Sequence, residues 1–347
     1  MRQSTAEKNN SLPQQPDSKR EHPGAMLLLT LGVVALSAVA LSLLLRRPYP
    51  LPSGTPAQYE VRKDDPDIVV GLVPEQNIFS QRKRYRALLD HVGRRIGVRI
   101  GIRSLPTYGA VIRALEEQTI DAAFLGSLAY TLAHKRTGVI VLARPVWKDG
   151  SSTYCSYIFA RADSGFEEGA GVKAVESMRG KRLALVDRSS MAGYLFPVAF
   201  FRSHGAADVD SYFSKVHMSG SHDAAALAVL DNQADVGAAK SHPVEKLFRR
   251  HPEYRRKIVI LARSPEAPSD GLAVHPQVPG KVREQLKSGL LTLMQTAEGR
   301  SVLDAFGARQ FIATSDSDYA TLYDMIREAG VDLLTFDTEN EPRRGER

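Results

Sequence analysis

The chain has 347 residues, 43% of them hydrophobic and 24% charged, with a formal net charge of +7. That size and composition allow two lobes of ordinary size and exclude a fibrous or wholly disordered polymer. A single cysteine, Cys155, excludes an intrachain disulfide and any CxxC metal or redox motif, and a mild basic excess with no basic, aromatic-interleaved stripe gives no ground for nucleic-acid binding.

Residues 1–24 are polar and rich in Pro, Gln and Asn, which reads as a disordered cytoplasmic segment. Residues 25–45, AMLLLTLGVVALSAVALSLLL, carry no charge over 21 positions, enough for a helix to cross a hydrocarbon core of about 30 Å. The run ends in Leu43-Leu44-Leu45-Arg46 rather than in small residues, so an uncleaved anchor is expected in place of a removable signal. Residues 46–65, beginning RRPYPLPSGTPAQ, read as a linker.

From residue 66 strands and helices alternate. IVVGLV (68–73) reads as a buried strand, and 80–96 as a basic amphipathic helix with Leu88, Leu89, Val92 and Ile96 on its apolar face. VRIGIRS (98–104), DAAFLG (121–126) and VIVLARPV (139–146) read as strands separated by helices at 108–118 and through His134. SYIFARADS (156–164) opens a second cycle. RLALVD, SKVHMSG, ADVGAAK and KIVILARS are its further strands, and 191–204, 222–231 and 243–250 its helices. GLAVHP then returns, followed by helices at 279–296, 298–306 and 317–329. Such alternation implies helices on mostly parallel sheets and two α/β lobes with a ligand cleft between them. The divisions expected are 66–154 and 263–332 for lobe 1, 155–262 for lobe 2 and 333–347 for a flexible tail.

Few residues carry chemistry by themselves. Ser221-His222-Asp223 spells a triad in order, but adjacent side chains do not converge as nucleophile, base and orienter. The same residues suit a helix start, with Ser221 or Gly220 as cap and Asp223 in the first turn. The histidines show no HExxH spacing, and no nucleotide loop or GxSxG elbow is present, so neither metal nor cofactor is expected. DRSSMAGYLFP (187–197) lies between a strand and a helix, where unpaired N–H groups and the helix dipole favour an anion.

Taken in order, GLVPEQN (71–77), PTYGAVIRAL (106–115), IDAAFLGSLAY (120–130), TYCSYIFARADS (153–164), DRSSMAGYLFP (187–197), SGSHDAAALAVLDNQADVGA (219–238) and RSPEAPSDGLAV (263–274) carry a resemblance. The chain resembles the phosphate/phosphite/phosphonate substrate-binding proteins of ABC importers, over roughly 66–330. The resemblance implies a type II periplasmic binding protein fold, two α/β lobes joined by two crossover strands, here preceded by one transmembrane helix. It implies a non-enzymatic extracytoplasmic protein that binds a small oxyanion (phosphate, phosphite or a small phosphonate) and feeds an ABC permease; the apolar run at 25–45 adds the expected membrane anchor.

Position by position, the family's ligand residues match Tyr108, Tyr154, His222 and Asp270. Its turn, Asp-Pro-x-Ser-Thr-Ser-Gly, meets Asp187-Arg188-Ser189-Ser190-Met191-Ala192-Gly193 here. Only Ser190 keeps one of the three hydroxyls, Ser189 is a substitute, and Met191 stands where the family has another hydroxyl. A family glutamate able to meet a ligand amine falls at His242, which speaks against aminoalkylphosphonates. Ser127 is a further candidate on IDAAFLGSLAY. The superfamily's arsenite-sensing members hold their ligand through cysteine, so Cys155 raises the alternative of a periplasmic arsenite or oxyanion sensor partnered with a histidine kinase. Strand alternation opposes it: if Tyr154 faces the cleft, Cys155 faces away.

Overall fold

A computed structural model of the chain describes residues 66–340. The apolar run 25–45 lies outside them; among the described residues no helix is long and apolar enough to cross a membrane.

Two sheets organise the chain. β1 (Ile68–Leu72), β2 (Ile100–Ser104), β3 (Ala122–Leu125) and β4 (Ile140–Trp147) build the first on the outward pass. β5 (Thr153–Tyr154) leads into β6 (Ser156–Arg161), β7 (Arg182–Leu185), β8 (Lys215–Met218), β9 (Val236–Lys240) and β10 (Ile258–Arg263). β11 (Ala267–Pro268) brings the chain back to β12 (Gly271–Val274) and β13 (Ala308–Ala313). The sheets run β13-β4-β12-β3-β1-β2 and β10-β6-β9-β7-β8, and β5 and β11 pair with each other between them. That pair is the crossover, with Tyr154 opposite Ala267.

The expectation of mostly parallel sheets is corrected. β1 pairs parallel with β2 and β3, and β7 with β8 and β9. The strands next to the crossover are antiparallel: β12 to β3 and β4, β13 to β4, β6 to β9, and β10 to β6. β12, on the chain's return, inserts between β3 and β4 against their direction, and β6, the first strand of the second sheet, runs against both β9 and β10.

The helix at Ile78–Ile96 covers the first sheet. Asn77 caps it through Oδ1, Arg94 and Arg95 lie in its last turn where the dipole favours cations, and Gly97 ends it in the left-handed region at φ 70°. Its Leu88, Leu89 and Val92 pack with Ile68, Val70 and Leu72. Burial of each such side chain contributes about 1.5–3 kcal/mol. Ile158, Leu183, Leu185, Phe201 and Phe213 form the core of the second sheet. A third cluster joins both sheets and holds Val111, Ile112 and Leu128 with Val186, Ala225 and Val229.

The flexible tail expected from 333 onward is corrected as far as Asn340. Arg136 donates to the carbonyls of Leu333 (3.0 Å) and Phe336 (2.5 Å), and Arg113 pairs with Glu339. Arg188 donates to the Asp337 carbonyl (3.1 Å), and Asn340 reaches Asp187 (2.9 Å). Thr338 is buried, and a Cβ on Gly109 would meet its carbonyl at 2.6 Å. Guanidinium groups that capture main-chain carbonyls give a polar segment the order its composition does not predict.

A buried site between the two sheets

β9 is buried along its whole length and delivers Lys240 to the boundary between the sheets. Its side chain is 4% exposed, and the ammonium faces two carboxyl groups from the other side. It donates to Asp270 Oδ1 at 2.7 Å and Oδ2 at 2.8 Å, and to Glu75 Oε1 at 3.0 Å. It also sits 4.3 Å from the centre of the Tyr154 ring, whose face attracts a cation. Asp270 immediately precedes β12, and Glu75 lies in the loop after β1.

Burial alone would discharge these groups, and the field of each decides the outcome. Burial pulls the Lys240 pKa down, but Asp270 and Glu75 outweigh it and hold the amine charged. Burial pushes Asp270 up, and Lys240 more than reverses that, leaving it ionised. Glu75 is pushed up by burial and then by the Asp270 charge, with Lys240 opposing. The Lys240 ammonium is therefore held charged against an ionised Asp270, while Glu75 is pushed toward its neutral form.

Beside it lies His222, first residue of the helix His222–Leu230, whose N-cap is Ser221. Its Nδ1 accepts the Lys240 backbone N–H at 3.1 Å, so the neutral ring carries its proton on Nε2. That nitrogen lies 3.5 Å from the Tyr108 hydroxyl. Burial, and next the Lys240 charge, lower the imidazole pKa to about 3, so His222 is neutral at physiological pH. The His222 N–H also donates to the Glu75 carbonyl at 3.0 Å, and the Asn77 N–H to Asp223 at 3.1 Å. The two halves thus meet through main chain as well as side chains.

Asp187 performs a similar junction further along. Its buried carboxylate accepts the Ser189 N–H (2.9 Å) and the Tyr108 N–H (3.3 Å). Tyr108 opens the helix Tyr108–Glu116, and Ser190 is the N-cap of the turn and helix that run from Met191 to Ser203. Helix starts from the two halves therefore converge on one carboxylate. Gly193 permits the close turn, since a Cβ there would lie 2.4 Å from Val186 Cβ. Ser190 Oγ accepts the Gly193 N–H at 3.0 Å, whereas the buried Ser189 Oγ makes no hydrogen bond of normal geometry and has the Asp187 carboxylate as its polar neighbour. Ser127 donates to the Pro268 carbonyl (2.8 Å), so the Tyr154 hydroxyl, 2.8 Å away, is the donor to Ser127.

The family model for the ABC transporter phosphonate periplasmic substrate-binding protein matches residues 70–319. The chain belongs to this family. It is 23% identical over 250 residues to the phosphonates-binding periplasmic protein of Escherichia coli, covering 71% of this chain and 72% of that one. It is 27% identical over 187 residues to the phosphate-import protein PhnD of Mycolicibacterium smegmatis, covering 52% and 56%. Two solved structures share the fold. The binding protein component of an ABC phosphonate transporter from Pseudomonas aeruginosa superposes with a TM-score of 0.70 at 21% identity, over 77% of this chain and 87% of that one. PhnD1 from Prochlorococcus marinus in complex with methylphosphonate gives 0.68 at 21%, over 76% and 98%.

Among the residues singled out from sequence, this phosphonate-family chain links Tyr108, His222, Tyr154, Asp270 and Ser127 to one another around Lys240. Ser189 and Ser190 join them through Asp187. Met191 is buried at the helix start. His242 stacks on Trp147 at 4.6 Å, and burial, then Lys240, lower its pKa to about 4. Cys155 is half-buried between the buried Tyr154 and Ser156, and among the described residues no group of three His, Cys, Asp or Glu side chains could hold a metal.

Sequence reasoning missed Lys240 and Glu75 as site residues. Glu75 lay within the quoted GLVPEQN. Lys240 ends an apolar strand, where a lysine ordinarily reads as a solvated terminus. The sole sequence signal was a basic residue joined directly to an otherwise uncharged five-residue run, VGAAK.

Proposed function

We propose that this protein is a membrane-anchored, extracytoplasmic binding protein that closes on a small phosphorus oxyanion and hands it to an ABC permease. Family membership supports the transport role, and the relatives named for phosphonates and phosphate support the ligand class. The observation that carries the site assignment is the contact of the Tyr108 hydroxyl with His222 Nε2 from the other half, near the turn that Asp187 ties to Tyr108. Tyr108 and Ser189 offer O–H donors and His222 offers Nε2–H, while the helix-start N–H groups of Tyr108 and Ser189 already meet Asp187. A ligand touching both lobes binds the closed form better than the open one, which couples binding to closure.

The binding reading agrees with how the hydroxyls are used. Ser190 spends its oxygen on a cap, Ser221 donates to Asp223, and the ring nitrogens of His222 face a backbone N–H and a phenol. None of these forms a nucleophile–base pair. Membrane attachment rests on the uncharged 21-residue run at 25–45.

Calorimetric titration of the detergent-purified full chain with methylphosphonate, phosphite and phosphate tests the assignment. At least one should bind, and Tyr108→Phe or His222→Ala should weaken it tenfold or more. Binding of none of them, or hydrolysis of a phosphate ester by the purified chain, would overturn it. Retention in the membrane after alkaline carbonate extraction checks the anchor.

A further inference from the structure

The Lys240 ammonium has three N–H donors, and three carboxyl oxygens lie within 3.0 Å of it. No donor remains for an oxyanion, so Lys240 is not the counter-ion of the proposed ligand. What surrounds it is a receptor for a primary ammonium: two carboxyl groups, one aromatic face and walls that exclude water. The cavity beside it, lined by Glu75, Trp147, His242 and Asp270, has about 10 Å3, little more than one water. The groups arrive from positions far apart in the chain, so the cage exists only when the two halves meet.

We propose that Lys240 is a tethered occupant of this ammonium cage, and that it limits the site to oxyanions without an amino group. The specificity part rests on the oxyanion reading above; the cage itself does not. A ligand amine entering the cage would have to displace an ammonium held by covalent tether at very high local concentration. A ligand without an amine leaves the cage undisturbed.

Two arms separate the claims. In the first, Lys240→Ala in the full chain is melted with and without 50 mM propylammonium, using propanol as control. Propylammonium should raise the variant's Tm, propanol should not, and the wild type should respond to neither. Should the variant fail to fold, recovery of folded protein during refolding with propylammonium is read instead, also in Lys240→Ala with Glu75→Gln, which keeps one carboxylate. No difference between propylammonium and propanol, or an equal shift in the wild type, overturns the cage. In the second arm, ethylphosphonate and 2-aminoethylphosphonate are compared by calorimetry. Wild type should prefer ethylphosphonate at least tenfold, and Lys240→Ala should lose or invert that preference. Equal or better binding of the amino compound by the wild type overturns the specificity claim. If neither phosphonate binds to either protein, the oxyanion reading and the specificity claim built on it fall, while the first arm still decides the cage.

Discussion

The cage around Lys240 and the turn at Asp187–Ser190 are both buried, both polar and both shared by the two halves, yet they are finished to different degrees. Around Lys240 every donor of the ammonium meets an oxygen. At the turn, Asp187 and Ser190 are satisfied, while the buried Ser189 Oγ reaches Asp187 only with poor geometry. An unmet buried hydroxyl costs roughly 1–3 kcal/mol. The contrast separates a site that is complete in itself from one with capacity for something more.

The largest effect expected is on the complete side. Lys240→Ala strands a buried carboxylate, and loss of one partner of a buried pair costs about 3–5 kcal/mol; urea unfolding should show that loss. Removing Asp270 as well should cost less than the sum of the two single losses. A cost near zero for Lys240→Ala would dissolve the contrast. Gly193→Ala should rank next, at about 1–3 kcal/mol, because the new methyl meets Val186 in a tight core.

A pH series sharpens the cage side further. His222 has a folded pKa of about 3 against an ordinary 6.5, so the folded protein binds fewer protons between those values. Its contribution to stability is intact above pH 6.5 and is lost as pH falls toward 3. At pH 5 the loss amounts to about 2 kcal/mol. His242 acts with the same sign, from 6.5 down to about 4. Glu75, pushed up to about 8, and the raised Asp187 act with the opposite sign over the same window, so the His222 contribution is read as a difference: from pH 7 to 4.5 the wild type should lose more stability, or gain less, than His222→Gln. The smallest effect belongs to Ser189→Ala: stability unchanged or up to about 1 kcal/mol higher, since an unmet polar group is removed, while affinity for the oxyanion drops severalfold. A clear stability loss in that variant would show that Ser189 is structural.

Most strands were legible because buried strands write apolar runs, as IVVGL and the AAFL of β3 do. β13, ARQFIA, escaped notice because exposed Arg309 and half-buried Gln310 interrupt it near its start. Tyr108, His222 and Asp270 stood in motifs whose order resembles the family. Lys240 could not be recognised the same way. Its meaning comes from Glu75, 165 positions away, and Asp270, 30 away, and no local pattern records such partners.

The segment from Leu333 to Asn340 holds one half through Arg113 and Arg136 and the other through Asp187 and Arg188. Any hinge movement that parts the halves must therefore peel this ribbon from at least one of them. A fusion partner or affinity tag at the carboxyl end would extend from a segment that both halves hold.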